Sequence, residues 1–477
     1  MLSFSVALPL GMVVLCKPEG CVVSFLCAIL CSAIGLSILP SRLVVLKRVS
    51  FLLVLAGSGI ASGSLASFRM RKEAPYAGLP ISQVDAFSGV LLNDGSRLPS
   101  GGYRYLLRLS SVSGSMGRVA CGKGLVQCYT EKPFAGGWGY RVSCPVRLSD
   151  NSSSPGISLT AKGAETAVVE PIFPWLALRL SVRDAIRLRC QSFGQHGSVL
   201  FTALILGERD DPHDADFLLF TSSGTVHVLA LSGLHLGILS NFLGLLLAPL
   251  FGKRISCGLS LCLITLYTFI AGPFPSLLRA FLMFAMRGLL SLGGRKAGGL
   301  HILTCSFIVL VSLRPDFLFS LSTQLSFLAL CGIFVMTPFL DVMTRQYLPR
   351  SVGSSLGSSI GAFFFTLPVI AHTFGVVYPI GIIATLAIVP LVTAFIWSGL
   401  VLLPLSMIHV DWLSSSINGC MEALYNLLIR VAGAFSLFPA LEVTGATLLA
   451  LYCGFGVLYG TMWMFLRRHP LRTGFDG

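Results

Sequence analysis

Charge is what this chain has least of. Asp, Glu, Lys and Arg together make up 11% of its 477 residues, against about 25% in a soluble protein. Acids are the scarcer half, 20 against 34 Lys and Arg, which leaves a net charge of +14. No Gly-x-x-x-x-Gly-Lys-Ser/Thr segment occurs, which excludes a P-loop ATPase. Neither His-x-His nor His-Glu-x-x-His is there to build a zinc hydrolase. Of the 14 cysteines none falls in a Cys-x-x-Cys pair, so a zinc ribbon or thioredoxin-type site is not expected. Most of them sit in apolar segments and read as small core residues. No basic residue precedes Lys17, unlike the start of a cleaved signal peptide.

What is present is apolar. Hydrophobic residues make up 54% of the chain, and the mean hydropathy is +0.82. The class is a polytopic α-helical membrane protein with one polar insert. Apolar stretches near 2–16, 21–39 and 49–67 give an N-terminal membrane unit, residues 1–68. Residues 69–172 change pattern to short alternating segments divided by Gly, Ser and turn residues. Ile81–Leu92, Tyr103–Val112, Arg118–Tyr129, Gly139–Leu148 and Gly156–Val169 read as strands of a small all-β barrel or sandwich. Residues 173–200 then form an amphipathic helix with Arg179, Arg183 and Arg187 in one stripe. It can lie in the membrane interface with its arginines toward phosphate, or pack as an ordinary surface helix. From 201 to 466 the chain is expected to span repeatedly, near 226–250, 256–272, 274–292, 300–313, 317–340, 358–378, 380–404, 420–438 and 441–465. Residues 467–477 make a tail.

Basic residues cluster in alternate connections, among them Lys253, Arg254, Arg295, Lys296, Arg345 and Arg350, with Lys17 and Arg314 on the other side. The positive-inside rule then puts the C-terminus in the cytoplasm and the β-rich insert outside. From Arg69 to Leu200 that region carries sixteen Lys and Arg against eight Asp and Glu. Its basic surface suits a polyanion. Arg104 and Arg141, interleaved with Tyr103, Tyr105, Trp138 and Tyr140, offer phosphate contacts and stacking surfaces; core or turn packing of the aromatic residues is the competing reading.

Three polar groups stand out in the apolar part. His227, Ser232 and His235 lie in a run read as one helix, which would put the histidines about 80° apart around it and about 12 Å apart along it. Gly233 and Gly237 form a small-residue pair on the far side, and with Gly224 are expected to serve helix packing. Packing, lining of a polar path, and metal binding or catalysis are all open for the histidines. Path lining is the reading taken, because ionisable residues in a span face a bundle interior or a wet cavity. Arg279, early in its span, suits a salt bridge or a phosphate contact. Ser320, Thr323 and Gln324 share a face of another span.

These residues carry a resemblance. The run from Ala203 to Arg209, then Gly224 to Gly237 with its His-x-Leu-Ala-x-Ser-Gly-Leu-His-x-Gly core, is similar to the hallmark of the ComEC family of competence proteins. Ser276–Ala280 and Gln324–Ala329 add further matches. The pattern departs at Ser322, Thr323 and Thr385. The resemblance implies an inner-membrane channel for single-stranded DNA in natural transformation, with an extracytoplasmic OB-like domain. It also implies an outer DNA-binding receptor, a separate nuclease and a cytoplasmic helicase-like motor. On it, His227, Ser232, His235, Arg279, Gln324 and Ser326 are expected to line the DNA path, and Arg104, Arg141, Tyr140, Arg179, Arg183 and Arg187 to meet the strand outside. Cys121 and Cys128 are candidates for an exported-side disulfide. No catalytic residue, metal or cofactor is expected. A homo-oligomer is compatible with the sequence. A secondary transporter of a small anion, or an intramembrane hydrolase using Ser232 and His235, are the alternatives.

Overall fold

The computed structural model describes residues 84–443 and residue 454, apart from 99–101, 115–118, 122–124, 146–147, 151–158, 163–166, 209–214, 295–296, 314–316, 318–319, 345, 348, 407 and 409. The three N-terminal spans, the last span and the tail expected from sequence lie outside the described residues.

Alternation of apolar and polar residues drives the first half into a sheet. Its strands are β1 (Val84–Leu91), β2 (Ser96–Arg97), β3 (Tyr103–Gly114), β4 (Val119–Cys121), β5 (Leu125–Thr130), β6 (Tyr140–Cys144), β7 (Leu148–Asp150), β8 (Leu159–Lys162) and β9 (Val168–Pro171). The order is β7-β8-β5-β3-β1-β6-β9, with β5 and β8 parallel and the other pairs antiparallel. β4 and β5 follow one another along the same flank of β3. Val84, Phe87, Leu91, Tyr105, Leu107, Val126 and Val142 turn to one face and form its core. The sheet curls enough that Cys128 on β5 and Cys144 on β6, with β3 and β1 between them, meet in that core. Among the described residues the path runs from one edge strand to the other and no strand pairing closes it into a barrel.

The helices follow: α1 (Pro174–Cys190), α2 (Gln195–Leu206), α3 (Ala215–Ser222), α4 (Val226–Leu229), α5 (Gly233–Ala271), α6 (Pro275–Leu292), α7 (Gly299–Leu313), α8 (Leu321–Thr344), α9 (Arg350–Phe374), α10 (Gly381–Leu405) and α11 (Asp411–Ser436). Strands β10 (Val376–Val377) and β11 (Leu441–Glu442) tie the end of α9 to the segment after α11. Among the described residues five helices, α5, α6, α8, α9 and α10, are long and apolar enough to cross a bilayer. The chain is a multi-pass membrane protein.

Helix α5 has 39 residues, about 58 Å if straight. It is not straight. Gly252 leaves helical geometry at φ +75°, ψ 163°, a conformation that glycine adopts without strain. Leu236 and Leu243 before it pack in one cluster with Ile264 and Tyr267 after it, so the two arms fold back on each other. The two spans expected over 226–250 and 256–272 correspond to these arms in all but the first residues.

Two larger cores divide the rest. One joins α2, α3, α4, α10 and α11 through Phe201, Phe220, Val228, Phe395 and Met421. The other joins α7, α8 and α9 through Phe307, Phe327, Cys331, Phe365 and Val369. Helix α6 packs on the second through Leu278 and Leu282, while α5 reaches the first through Ile238. Helices α5 and α6 therefore form the seam between them.

Candidate functional site

The seam begins where the hallmark run breaks. Helix α4 ends at Leu229, Ala230 is extended (φ −70°, ψ 133°), and α5 starts after Ser232 (φ −136°, ψ 176°). Ser232 is an N-cap: its Oγ accepts the amide of Leu234 at 3.2 Å, and its own amide donates to Nδ1 of His235 at 3.2 Å. This is a capping box in which His replaces the usual Glu or Gln. An accepting Nδ1 puts the ring proton of a neutral His235 on Nε2. His227 and His235 thus belong to different helices, and the single polar face expected from a continuous helix does not form. The cap won because Ser satisfies amides that an apolar residue would leave open. His235 is buried, whereas His227 is exposed on α4.

Arg279 sits one turn into α6 and is 4% exposed. Its Nη1 donates to the carbonyl of Ser326 on α8 at 3.0 Å, and the guanidinium carbon lies 5.7 Å from the Phe327 ring centroid. Ser276, one turn earlier, donates to the carbonyl of Leu231 at 2.9 Å and meets Ser322 at 3.4 Å. A Cβ placed on Gly233 would stand 2.9 Å from Nη2 of Arg279 and 3.2 Å from the Ala280 methyl. The start of α5, the first turns of α6 and the first turns of α8 therefore meet in one buried polar junction. It contains Ser232, His235, Arg279 and the Ser326 backbone, with Thr323 and Gln324 buried on α8. His227 lies apart from it on the other core. Arg287, further along α6, is exposed.

Of the three packing glycines, two make close contacts. Gly224 (φ +72°) is held against Gly381 and Tyr378, and Gly233 against Arg279 and Ala280. Gly237 has open space where its Cβ would be, as does Gly244, and Asn241 between them is exposed. Gly233 and Gly237 are not a shared packing face. Below the junction, the same side of α5 opens instead.

The arginine stripe of α1 turns inward. Arg179 grips Asp94 with Nη1 at 2.9 Å and Nη2 at 2.5 Å, and its Nε donates to the carbonyls of Phe269 and Ile270. Arg183 donates to the carbonyls of Ile270 and Ala271 and to Glu208, whose second oxygen takes Arg187. Two cations thus cap the carboxyl end of α5, where the helix dipole is negative. Arg179 and Arg183 are buried and Arg187, though half-exposed, is paired, so this stripe is not presented to a strand. Trp175, Leu178 and Leu188 face outward in its place. Burial alone would raise the Asp94 pKa, but the hydrogen bond and charge of Arg179, with Arg183 and the Trp138 amide, hold it below the ordinary carboxylate value. Asp94 and Glu208 were invisible as partners, because they stand 85 and 25 residues from their arginines.

On the sheet, Arg104 and Arg141 point out and are exposed. Arg108 joins them: Val90 of β1 faces Arg108 on one neighbour and Arg141 on the other, so the two arginines flank it across three strands. Tyr129 stands opposite Arg104, with Lys162 beyond it on β8, and Glu170 faces Arg141 from β9. Strand alternation could have found Arg108, Tyr129 and Lys162. Tyr140 shares the parity of Val142 and Cys144, so it lies in the core, 5% exposed, and cannot serve as an outer contact. Tyr105 is buried for the same reason. Cys121 pairs with Ser111 of β3 and Cys128 with Tyr105, six residues along the same strand. That is about 20 Å, far beyond what a disulfide bridges. Among the described residues no group of three or more His, Cys, Asp or Glu is placed to hold a metal ion.

Residues 204–468 match the family model described as competence protein. The chain is 30% identical over 200 residues to the ComE operon protein 3 of Bacillus subtilis, covering 42% of this chain and 25% of that one. It is 28% identical over 248 residues to an uncharacterized protein of Aquifex aeolicus, covering 51% and 55%. It is 26% identical over 249 residues to the uncharacterized protein YcaI of Escherichia coli, covering 49% and 32%. The matched part thus spans between a quarter and about half the length of these relatives. No solved structure matches the chain. The family match covers more than half the chain and contains the whole polar junction, and the chain belongs to the competence protein family, the ComEC group.

Proposed function

We propose that the protein is a passive conduit that carries single-stranded DNA across the cytoplasmic membrane during natural transformation. The observation that carries the reading is the junction of α5, α6 and α8. It is a buried guanidinium at the seam between two helical cores, above a side of α5 lined by Gly237, Asn241 and Gly244 with open space beside it. An arginine inside an apolar bundle is costly and is retained where a charge must pass or bind. A glycine face leaves room for a threaded chain.

In this reading the outward sheet face, with Arg104, Arg108, Arg141, Lys162 and Tyr129, receives the strand outside the cell. Phosphate neutralisation supplies the affinity and Tyr129 a stacking surface. Helix α1 rests in the outer interface with Trp175, Leu178 and Leu188 toward lipid. The C-terminus is cytoplasmic in this reading, which the clustering of basic residues in alternate connections supports. The protein does no covalent chemistry. Driving force comes from a helicase-like motor on the inner side, and an outer receptor and a nuclease prepare the strand. Membership of the competence protein family supports DNA as the cargo.

The test is entry of labelled DNA into a deletion strain that carries either the wild-type gene or Gly237→Trp. A tryptophan in open space on a lipid-facing side leaves uptake unchanged, but inside a path it blocks it. We expect internalised DNA to fall at least tenfold, with surface-bound DNA and protein level preserved. Normal uptake in the deletion strain, together with altered accumulation of a small anionic solute, would replace this reading with a solute transporter.

A further inference from the structure

The buried guanidinium of Arg279 has no carboxylate beside it. Among the described residues no ion pair joins Arg279 to a carboxylate. Nη1 is used by the Ser326 carbonyl, and one face of the group is covered by Phe327. Nε is buried and has no hydrogen-bond partner. Thr323 Oγ1, 2% exposed and one turn before Ser326 on α8, is a second buried polar atom without a partner. Nη2 points at Gly233, the first residue of α5.

That arrangement sets like against like. The amino end of a long helix carries roughly half a unit of positive charge, and its first amides point outward along the axis. A guanidinium directed at that end from a neighbouring helix is repelled in a dry setting, unless an anion sits between them. With an anion present, the same groups become a cradle: helix N-termini and the Nε edge of arginine are both suited to tetrahedral oxyanions. Glycine at 233 keeps the cradle open, since any Cβ there would stand 2.9 Å from Nη2. Ser232 as N-cap serves the Leu234 and His235 amides and its carbonyl takes the Leu236 amide, which leaves the Gly233 amide, beside Nη2 of Arg279, to the ligand.

We infer that the amino terminus of α5 and the Nε edge of Arg279 form a binding site for one tetrahedral oxyanion of phosphate chemistry. The inference rests on the conduit reading only for the source of the anion, a phosphodiester of the passing strand as against free phosphate. In the first case the site is a station where one backbone phosphate is held at a time. In the second it is a resident counter-ion that steadies the seam.

The full-length protein in lipid nanodiscs would be titrated with inorganic phosphate in one arm and a short single-stranded oligonucleotide in the other, reading binding and thermal midpoint. We expect Arg279→Gln to weaken at least one ligand by about tenfold or more, the loss of a charge-assisted contact. Gly233→Ala, which keeps the charge but places a methyl group against it, should weaken the same ligand. A response to phosphate alone assigns the free anion, and a response only to the oligonucleotide assigns the strand. Absence of binding by the wild type in both arms overturns the site, as does unchanged binding in both variants. If Arg279→Gln does not accumulate, Gly233→Ala decides. DNA entry into cells is scored separately: a deletion strain with normal uptake and a protein that still binds phosphate through Arg279 would sink the conduit and leave the oxyanion site standing.

Discussion

At the scale of single residues, Asp94 is the clearest case of a side chain that the rest of the molecule depends on. Its two oxygens take both terminal nitrogens of Arg179, and one also accepts the Trp138 amide at 2.8 Å. Because its pKa is held below the ordinary carboxylate value, its stabilising contribution is present above that ordinary value. It is lost as pH falls through the lower, folded value. The β domain should therefore stay docked at pH 5 and loosen only on further acidification. Asp94→Asn leaves Arg179 buried without its counter-charge and should cost about 3–5 kcal/mol. Thermal unfolding of the reconstituted protein reads this directly, and a variant as stable as wild type would remove Asp94 from the docking contact. The arginine stripe itself was legible from spacing. Its direction was not, because partners 85 and 25 residues away are set by the fold and not by local pattern. The same holds for Ser232 and His235: the residues were legible as polar groups in an apolar run, yet a cap with His in the third position hides among signals for a continuous helix.

At the scale of elements, glycine decides where helices touch and where they part. On α9, Gly353, Gly357 and Gly361 recur every four residues and face α8, where Gly361 meets Gly332 backbone to backbone. Such a ridge of small residues lets two helices pack at the closest distance and replaces a hydrophobic drive that lipid does not supply. A Cβ on Gly332 would collide with the carbonyl group of Gly361, and backbone has nowhere to retreat. Gly332→Ala should destabilise by about 1–3 kcal/mol or more, the range for overpacking. Gly237→Ala should cost nothing, because nothing stands within 4 Å. Thermal midpoints of the two variants in one lipid system would compare them, and equal midpoints would contradict the close contact. The spans of α5, α6, α8, α9 and α10 were readable from hydropathy because the bilayer imposes length, whereas α7 and α11, expected as spans over 300–313 and 420–438, are not among the helices long and apolar enough to cross. The fold-back of α5 was readable as a gap between two apolar stretches. The open side at Gly237 was not readable, since a glycine pair looks the same whether a helix or empty space lies against it.

At the scale of the whole molecule, the sheet and the helical bundle are joined by α1, whose arginines are spent on the joint. That divides the basic residues of the sheet and α1 into two groups with different tasks. Arg179 and Arg183 are buried and neutralised by Asp94, Glu208 and helix carbonyls. Arg104, Arg108 and Arg141 are exposed on the sheet. Only the second group can release counter-ions when a strand binds, and for single strands each phosphate neutralised contributes about 0.7 to the slope of log K against log salt. Arg108→Ala and Arg141→Ala should each lower that slope for oligonucleotide binding to the full chain by about 0.7. Arg183→Ala should leave the slope as it is and lower the thermal midpoint instead. The reverse pattern, a slope flattened by Arg183→Ala and untouched on the sheet, would mean that the strand opens the joint and takes the α1 arginines from their carboxylates. Because the joint lies against the turn that leads into α6, entry of DNA would then be coupled to the position of Arg279, through Gly272, where Arg179 and Asp94 already crowd the backbone.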